Sequence, residues 1–204
     1  KFIPDKIIFC SKFSYDVHKK VGYALKKSFV INNGIDLDYF KPNKKLRKNL
    51  REKLSIKDNQ FIIGIAARFD PNKGIDIFLD IIKSLEKISF QSTYMMCGHN
   101  INARNIDLKK MICKRKLDSK IILLGEFKET NIFLNSIDLL ICPSRTESFG
   151  LVVLESLSSG TPVLCSKLNA LENLVGHNNV VKNNDIETYI NKIIKFKRIF
   201  DNGT

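Results

Sequence analysis

Two glutamates stand in an otherwise apolar stretch, TESFGLVVLESLSSGTPV, at positions 147 and 155. Paired carboxylates can perform acid/base chemistry on a sugar when they lie about 5 to 9.5 Å apart. If a helix begins near Ser148 or Phe149, its rise of about 1.5 Å per residue separates Glu147 and Glu155 by about 12 Å. The spacing therefore disfavours a hydrolase pair. It fits the two ends of an extended ligand, with each carboxylate accepting hydrogen bonds from hydroxyl groups.

The backbone that follows the first glutamate could bind an anion. The first N–H groups of a helix have no partner within it, and this helix start follows a buried strand predicted at 137–144. Phe149, Gly150 and Leu151 would offer N–H groups to phosphate oxygens there, and Gly150 would let the backbone approach a ligand closely. The spacing leaves an alternative open, in which Glu147 favours the helix dipole and Glu155 is a paired surface charge.

A second group of charges lies in the stretch AARFDPNKGID, residues 66–76. Arg68 ends a predicted buried strand, and Lys73 opens the next helix together with Gly74. Two cations at the carboxyl end of a strand could clamp a diphosphate. A loop with solvated basic residues remains the alternative. The pattern GxxxxGK[ST] is absent, so ATP hydrolysis of the P-loop type has no support.

The elements that position these residues follow a regular alternation from residue 61 onward. Continuous apolar runs indicate buried strands, and apolar residues at helical spacing, such as Ile75, Phe78, Ile82 and Leu85, indicate helices between them. Strands with helical crossovers predict a doubly wound α/β domain with a parallel sheet covered on both faces. The predicted strands are 61–67, 92–98, 120–125, 137–144, 162–166 and 179–181, and the predicted helices lie near 73–88, 104–116, 128–135, 149–159 and 186–200.

The first part of the chain has a different pattern. A strand near DKIIFCS, a helix over 11–26 and a strand in SFVINNGID are too few elements for an independent core. We interpret residues 1–35 as the tail of a preceding domain with a linker, and residues 36–204 as the main domain of a longer protein. The basic helical stretch 41–54 predicts a solvated face, with an anionic membrane surface as the alternative.

Composition narrows the class of partner. The 204 residues carry 34 Lys and Arg against 21 Asp and Glu, a net charge of +13, which favours anionic partners such as nucleotides, nucleic acid or an acidic membrane. Five scattered cysteines without a C-x-x-C pair predict buried free thiols in a reducing compartment, and no metal site is expected. Without a signal peptide or a long apolar run, we expect a soluble cytoplasmic protein. Peripheral attachment to the inner face of the membrane stays open.

The motifs taken together resemble a known family of enzymes. The segments VINNGIDLDYFKP, ARFDPNKG, LLGEF, ICPSRTESFGLVVLE and SSGTPVLCS occur in the order found in retaining nucleotide-sugar glycosyltransferases of the GT-B fold, which are related to glycogen and sucrose synthases. The resemblance covers nearly the whole chain. It implies a Rossmann-like domain that forms the C-terminal, donor-binding half of a GT-B fold.

The same resemblance implies roles for individual residues. Arg68 and Lys73 would bind the diphosphate of a UDP- or GDP-linked sugar and stabilise its growing negative charge. Glu147 would hold hydroxyls of the donor sugar, and Glu155 would accept from the ribose. The backbone amides of Phe149, Gly150 and Leu151 would contact phosphate, and Phe127 would lie near the base. No cofactor or metal is implied, because the cations serve that purpose.

The resemblance also limits what the chain could do alone. The family's N-terminal domain, with its acceptor site, is almost entirely missing from this sequence. We therefore expect the chain to bind the nucleotide sugar, to need that N-terminal domain as a partner, and to transfer no sugar by itself. The acceptor would be a glycan or a lipid-linked sugar of a bacterial surface polysaccharide or lipopolysaccharide. A sugar phosphorylase or nucleotide-sugar epimerase of the same fold and, from another class, a basic nucleic-acid-binding module are the alternatives.

Overall fold

A six-stranded parallel sheet forms the centre of the protein, seen in a computed structural model that describes residues 5–23, 26–182 and 185–203. The strand order is β5-β4-β3-β6-β7-β8, so the chain winds outward in one direction from β3 and in the other from β6. This topology confirms the predicted doubly wound α/β class. The strands are β3 (Ile62–Ala66), β4 (Thr93–Cys97), β5 (Ile121–Leu123), β6 (Leu139–Cys142), β7 (Val163–Ser166) and β8 (Val180–Val181).

Helices cover both faces of the sheet. Apolar side chains of α3, α4 and α8 pack in one core cluster, whereas those of α2, α5, α6 and α7 pack in another. The strands serve both clusters: Ile63 and Ile65 of β3 point to the first and Ile62 to the second, which explains the continuous apolar runs. The helices are α2 (Lys44–Lys53), α3 (Ile75–Lys87), α4 (Ile106–Lys114), α5 (Thr130–Ser136), α6 (Leu151–Ser158), α7 (Asn169–Val175) and α8 (Ile186–Gly203).

The N-terminal segment forms a separate strand–helix–strand unit, as predicted. Strand β1 (Ile7–Phe9) pairs in parallel with β2 (Ser28–Val30), and α1 (Lys12–Lys20) connects them. The helix ends at Lys20, earlier than the predicted residue 26, and is followed by Gly22 at a positive φ of 85°. The hydroxyl of Ser11 caps α1 and donates a hydrogen bond to the carbonyl of Ser148, at 2.5 Å. The domain boundary near residue 35 stays a prediction.

Two features of the helices differ from the predictions. The stretch 41–54 is not a uniformly solvated face: Asn43 caps α2, but Arg51 is only 1% exposed and donates to Asp138, the residue before β6. Helix α7, which no sequence pattern indicated, follows β7. Within the described residues, no helix has both the length and the apolar character needed to cross a bilayer.

Candidate functional site

All predicted site residues except Phe127 lie on the segments that follow the two central strands, β3 and β6. Strand β3 leads into the loop 67–74 before α3, and β6 leads into the loop 143–150 before α6. In open α/β sheets this switch point is where ligands bind. The two loops touch: Gly74 has a φ of +67°, and a Cβ there would lie 2.0 Å from the carbonyl oxygen of Pro143. Only glycine fits at this position, both for its backbone angle and for the space available.

An ion pair between Lys73 and Glu147 joins the two loops. The ammonium of Lys73 donates to Oε1 of Glu147, and the hydroxyl of Ser144 donates to the same oxygen at 3.1 Å. The Lys73 and Glu147 side chains are 21% and 11% exposed, so the pair is only partly open to solvent. A cation and a carboxylate thus lie side by side. An anionic group of a ligand could replace Glu147 as the partner of Lys73, and a hydroxyl of the same ligand could replace Lys73 as the partner of Glu147.

Arg68 lies at the mouth of the same loop. Its side chain is 63% exposed, and its Nε donates to Oδ2 of Asp70 at 3.1 Å. The pKa of Asp70 lies below its usual value, first because its carboxylate accepts the N–H of Asn72 and then because it accepts from Arg68. Arg68 therefore precedes the short 3₁₀ turn Pro71–Lys73, and Lys73 is the last residue of that turn. The structure brings the two predicted cations to one loop, with Arg68 free to turn toward a ligand.

Arg145 is a residue of this site that the sequence did not indicate. Its guanidinium binds both carboxylate oxygens of Asp76, at 2.9 and 2.5 Å, and its Nη1 also donates to the carbonyl of Pro71 at 2.7 Å. Its backbone N–H donates to the carbonyl of Asn72 at 2.7 Å. The pKa of Asp76 is lowered, mainly by the hydrogen bonds from Arg145. Arg145 thereby ties the loop 143–150 to the turn that carries Lys73.

Helix α6 begins two to three residues later than predicted. Its first residue is Leu151, and Gly150 before it has a φ of +91°. Within the described part of the chain, none of the N–H groups of Phe149, Gly150 and Leu151 donates a hydrogen bond. These donors are therefore available to an anion, as predicted. A Cβ at Gly150 would lie 2.4 Å from Cδ2 of Leu171, so the glycine serves the packing of α7, and the close approach of a ligand to it stays a prediction.

Glu155 is a half-buried carboxylate without a partner. Desolvation raises its pKa, and no donor among residues 5–23, 26–182 and 185–203 bonds its carboxylate. The alternative of a paired surface charge is therefore wrong. The helical estimate of about 12 Å between the two glutamates is also wrong in its premise, because Glu147 precedes the helix by four residues and the rise of 1.5 Å applies only from Leu151 onward.

The remaining predicted residue, Phe127, lies on the loop after β5 at the same edge of the sheet. It is half-buried and packs against the core cluster on the α5 side. Its neighbour Glu126 contacts the ring of His99 at 3.4 Å, and both of these side chains are exposed. Two strands separate this loop from β6, so Phe127 stands at the far end of the site from Glu147.

The cysteines are free thiols, as predicted, and three of them are buried. Cys97 and Cys142 end strands β4 and β6, and burial raises their pKa to about 12 and about 11, which keeps both thiols protonated. In the described ranges, no three His, Cys, Asp or Glu side chains are grouped to hold a metal ion. A cleft of about 910 Å³ lies beside the site between α1 and α7, and Phe149 lines it.

The chain is similar to enzymes of bacterial surface polysaccharide synthesis. It is 32% identical to the O-antigen biosynthesis glycosyltransferase WclY of Escherichia coli over 164 residues, which cover 80% of this chain and 44% of WclY. It is 28% identical over 160 residues to the lipopolysaccharide core biosynthesis mannosyltransferase LpsB of Rhizobium meliloti (strain 1021), with 77% of this chain and 45% of LpsB covered. The chain thus spans about half the length of these relatives.

A solved structure has the same fold. The structure of Anabaena HepE in complex with UDP and glucose superposes with a TM-score of 0.83 at 22% identity, over 95% of this chain and 53% of HepE. This likeness confirms the expected Rossmann-like half of a GT-B fold. The family model for glycosyl transferases group 1 matches residues 47–199, which include every predicted site residue. The protein therefore belongs to the glycosyl transferases group 1 family.

Proposed function

We propose that this chain is the donor-binding half of a glycosyltransferase that moves a sugar from a nucleoside-diphosphate sugar to a glycan or a lipid-linked acceptor. The observation that carries the proposal is the pairing of Lys73 with Glu147 beside the unbonded N–H groups of residues 149–151. Together they offer a cation, an acceptor for hydroxyls and a set of phosphate donors within one edge of the sheet.

The two cations would hold the diphosphate. A diphosphate oxygen can replace Glu147 as the partner of Lys73, because the ion pair is partly open to solvent. Arg68, held by one hydrogen bond to Asp70, can turn to the same phosphates at little cost. Both cations would then stabilise the negative charge that grows on the diphosphate as the sugar leaves.

The two carboxylates would take the two ends of the donor. Released from Lys73 by the diphosphate, Glu147 would accept hydrogen bonds from hydroxyls of the sugar. Glu155, half-buried and unpaired, would accept from the ribose, which repays its desolvation. The base would extend toward the loop after β5, near Phe127.

The reaction proposed is a transfer with retention of configuration. The bond between the anomeric carbon and the β-phosphate oxygen breaks, and the oxygen of the acceptor hydroxyl bonds to that carbon. The proton of the hydroxyl leaves with the nucleoside diphosphate. The chain's residues would act on the leaving diphosphate, and the acceptor would be bound by a part of the protein outside this chain, since the relatives are about twice as long.

Other findings support the class of donor and acceptor. The HepE structure contains UDP and glucose, and the named relatives act in O-antigen and lipopolysaccharide synthesis. We propose a UDP- or GDP-linked donor on these grounds. Contact with an anionic membrane surface, at the cytoplasmic side, would suit such an acceptor. The exposed lysines of α2, Lys44, Lys45, Lys48 and Lys53, are the cations that we propose for it.

The test is a binding panel on the chain, followed by a transfer assay. Thermal shifts measured with UDP, GDP, their parent nucleosides and random oligonucleotides should show stabilisation by one nucleoside diphosphate above its nucleoside. Radiolabelled UDP- and GDP-sugars with lipid-linked acceptors should give no transfer by the chain alone. Stabilisation by oligonucleotides only would favour a nucleic-acid-binding module, and conversion of the nucleotide sugar without an acceptor would favour an epimerase.

A further inference from the structure

The guanidinium of Arg145 makes contacts that reach from one site loop to the other. It binds Asp76 in the first turn of α3 through both carboxylate oxygens, and it also holds the carbonyl of Pro71. Its backbone N–H holds the carbonyl of Asn72, the residue that precedes Lys73. Two carbonyl groups of the loop 67–74 and the first turn of α3 are therefore held from position 145.

The position of Arg145 in the chain gives these contacts their importance. Arg145 stands two residues before Glu147, so the same short segment carries the carboxylate and grips the turn that carries the ammonium. The planar guanidinium can bind a carboxylate with two parallel bonds and a carbonyl with another, whereas a lysine ammonium cannot match that geometry.

We infer that Arg145 is a positioning residue that sets the separation between Lys73 and Glu147 and so prepares them for the diphosphate and the sugar; the inference rests on the proposed function. Arg145 acts through these two residues, because its guanidinium is engaged by Asp76 and Pro71. The pair Arg145–Asp76 is called the loop clip below.

Helix α3 carries a matched control one turn further on. Arg115 binds both oxygens of Asp80, at 2.7 and 3.1 Å, and donates to the carbonyl of Met111 at 3.1 Å. This fork has the same chemistry as the loop clip and is anchored four residues later on the same helix. Its arginine follows α4 and contacts neither site loop. Arg115→Lys therefore replaces a guanidinium fork on α3 by an ammonium, as Arg145→Lys does, but it leaves the contacts between the two site loops intact.

The first experiment needs no ligand. Hydrogen exchange is measured in peptides that cover residues 67–74 and 143–150 in the wild-type chain, Arg145→Lys and Arg115→Lys. In Arg145→Lys, the protected amide hydrogens of both loops should exchange about tenfold faster than in the wild-type chain. The reason is that a local opening that breaks the clip exposes the amides of both loops at once. Arg115→Lys should leave both peptides at the wild-type rate. Equal rates in the two variants would overturn the inference.

The second experiment tests the consequence for binding by calorimetry with UDP and uridine, or with GDP and guanosine if that pair binds. Arg145→Lys should lose about tenfold in affinity for the diphosphate and little for the nucleoside, within the range of coupling measured between neighbouring residues. In the background of Lys73→Met, Arg145→Lys should cost much less, because the residue through which it acts is gone. Additive losses would contradict the inference.

The outcomes separate this inference from the proposed function. If neither diphosphate binds the wild-type chain, the proposed function fails, and the exchange measurement alone decides whether the clip fixes the two loops. If the diphosphate binds and Arg145→Lys behaves like Arg115→Lys in both measurements, the function stands and the loop clip is only a structural pair. Asp76→Asn, which removes the other half of the clip, should reproduce every effect of Arg145→Lys.

Discussion

The two edges of the sheet use arginine and aspartate in opposite ways. At the amino edge, Arg51 is 1% exposed and donates to five acceptors: the carbonyls of Ser136, Lys57, Asp58 and Gln60, and Oδ2 of Asp138. At the carboxyl edge, Arg68 is 63% exposed and has one hydrogen bond to Asp70. The guanidinium of Arg51 is held by acceptors within the fold, whereas that of Arg68 could form further hydrogen bonds with a ligand.

The comparison shows how to separate structural charges from functional ones. The Asp138 carboxylate is only 6% exposed and accepts from Arg47, Arg51 and the backbone N–H of Ile62, so the fold itself supplies its partners. Glu155, in contrast, bears a desolvated carboxylate that the described part of the chain leaves without a donor. Burial with full satisfaction marks a structural charge, whereas burial without it indicates a partner that arrives later.

The largest effect is expected at the amino edge. Arg51→Met would leave the Asp138 carboxylate buried with one cation fewer and would remove a donor from four carbonyl groups. We expect the free energy of unfolding to fall by about 3–5 kcal/mol, measured by urea denaturation. Arg47→Met is the control, since the Arg47 side chain is 26% exposed and Asp138 keeps Arg51. An equal fall in the free energy of unfolding of both variants would contradict the special structural role of Arg51.

A smaller effect, confined to binding, is expected at the carboxyl edge. Lys73→Met should weaken the binding of the nucleoside diphosphate by about 1.5–3 kcal/mol, roughly tenfold or more, because a charge-assisted bond to phosphate is lost. Affinity for the nucleoside should change much less. The control is Lys120→Met, which breaks the surface pair with Glu86 at the other edge. Calorimetry that shows equal losses for both ligands would contradict the diphosphate role.

Glu155 provides a sharper version of the comparison. If its carboxylate accepts from the ribose hydroxyls, the wild-type chain should prefer UDP over 2′-deoxy-UDP by about 1.5–3 kcal/mol. Glu155→Gln should reduce that preference, and Glu147→Gln should keep it, because Glu147 is assigned to the sugar. The three proteins are titrated with both ligands. A full ribose preference in Glu155→Gln would mean that Glu155 does not contact the ribose.

The smallest effect concerns stability and pH. Desolvation raises the pKa of Glu155 above its ordinary value of 4.5, so the folded state favours the protonated form and the charged form at neutral pH costs stability. Glu155→Gln should therefore be slightly more stable than wild type at pH 7, by a fraction of a kcal/mol. The difference should shrink as the pH falls through the raised pKa and vanish below the ordinary value of 4.5, where both states are protonated. Thermal unfolding between pH 4 and 7 measures it, with Glu187→Gln as the control on α8.

Sequence patterns predicted the sheet well because each strand can be recognised from a few consecutive residues. Each central strand is a continuous apolar run, and the predicted segment 61–67 contains β3 with one extra residue at either end. Helix α7 was missed because seven residues with one buried side chain, Leu171, are too short to show a helical period. The cations and carboxylates could be predicted because the motifs and the sheet edge indicate the same positions, and their roles in binding stay predictions.

The contacts that sequence could not predict are those between distant residues. Arg51 belongs to a run of basic residues, and only Asp138, 87 positions away, determines that this one faces inward. Arg145 and Asp76 are 69 residues apart, and neither has a local pattern that suggests a pair. Helix α6 begins at Leu151 and not at 148 or 149, because Gly150 before it has a positive φ, which is not a helical conformation.

Lys73 and Glu147 are 74 positions apart in the sequence, which has a consequence for folding during synthesis. Strands β3 and β6 are adjacent in the sheet, yet β4 and β5 with their helices are synthesised between them. A chain that emerges from the ribosome in order cannot assemble this pair until β6 and the loop after it have left the exit tunnel. On the proposed function, a nascent chain that ends before this loop would lack the Lys73–Glu147 pair and would bind the nucleoside diphosphate more weakly than the finished domain.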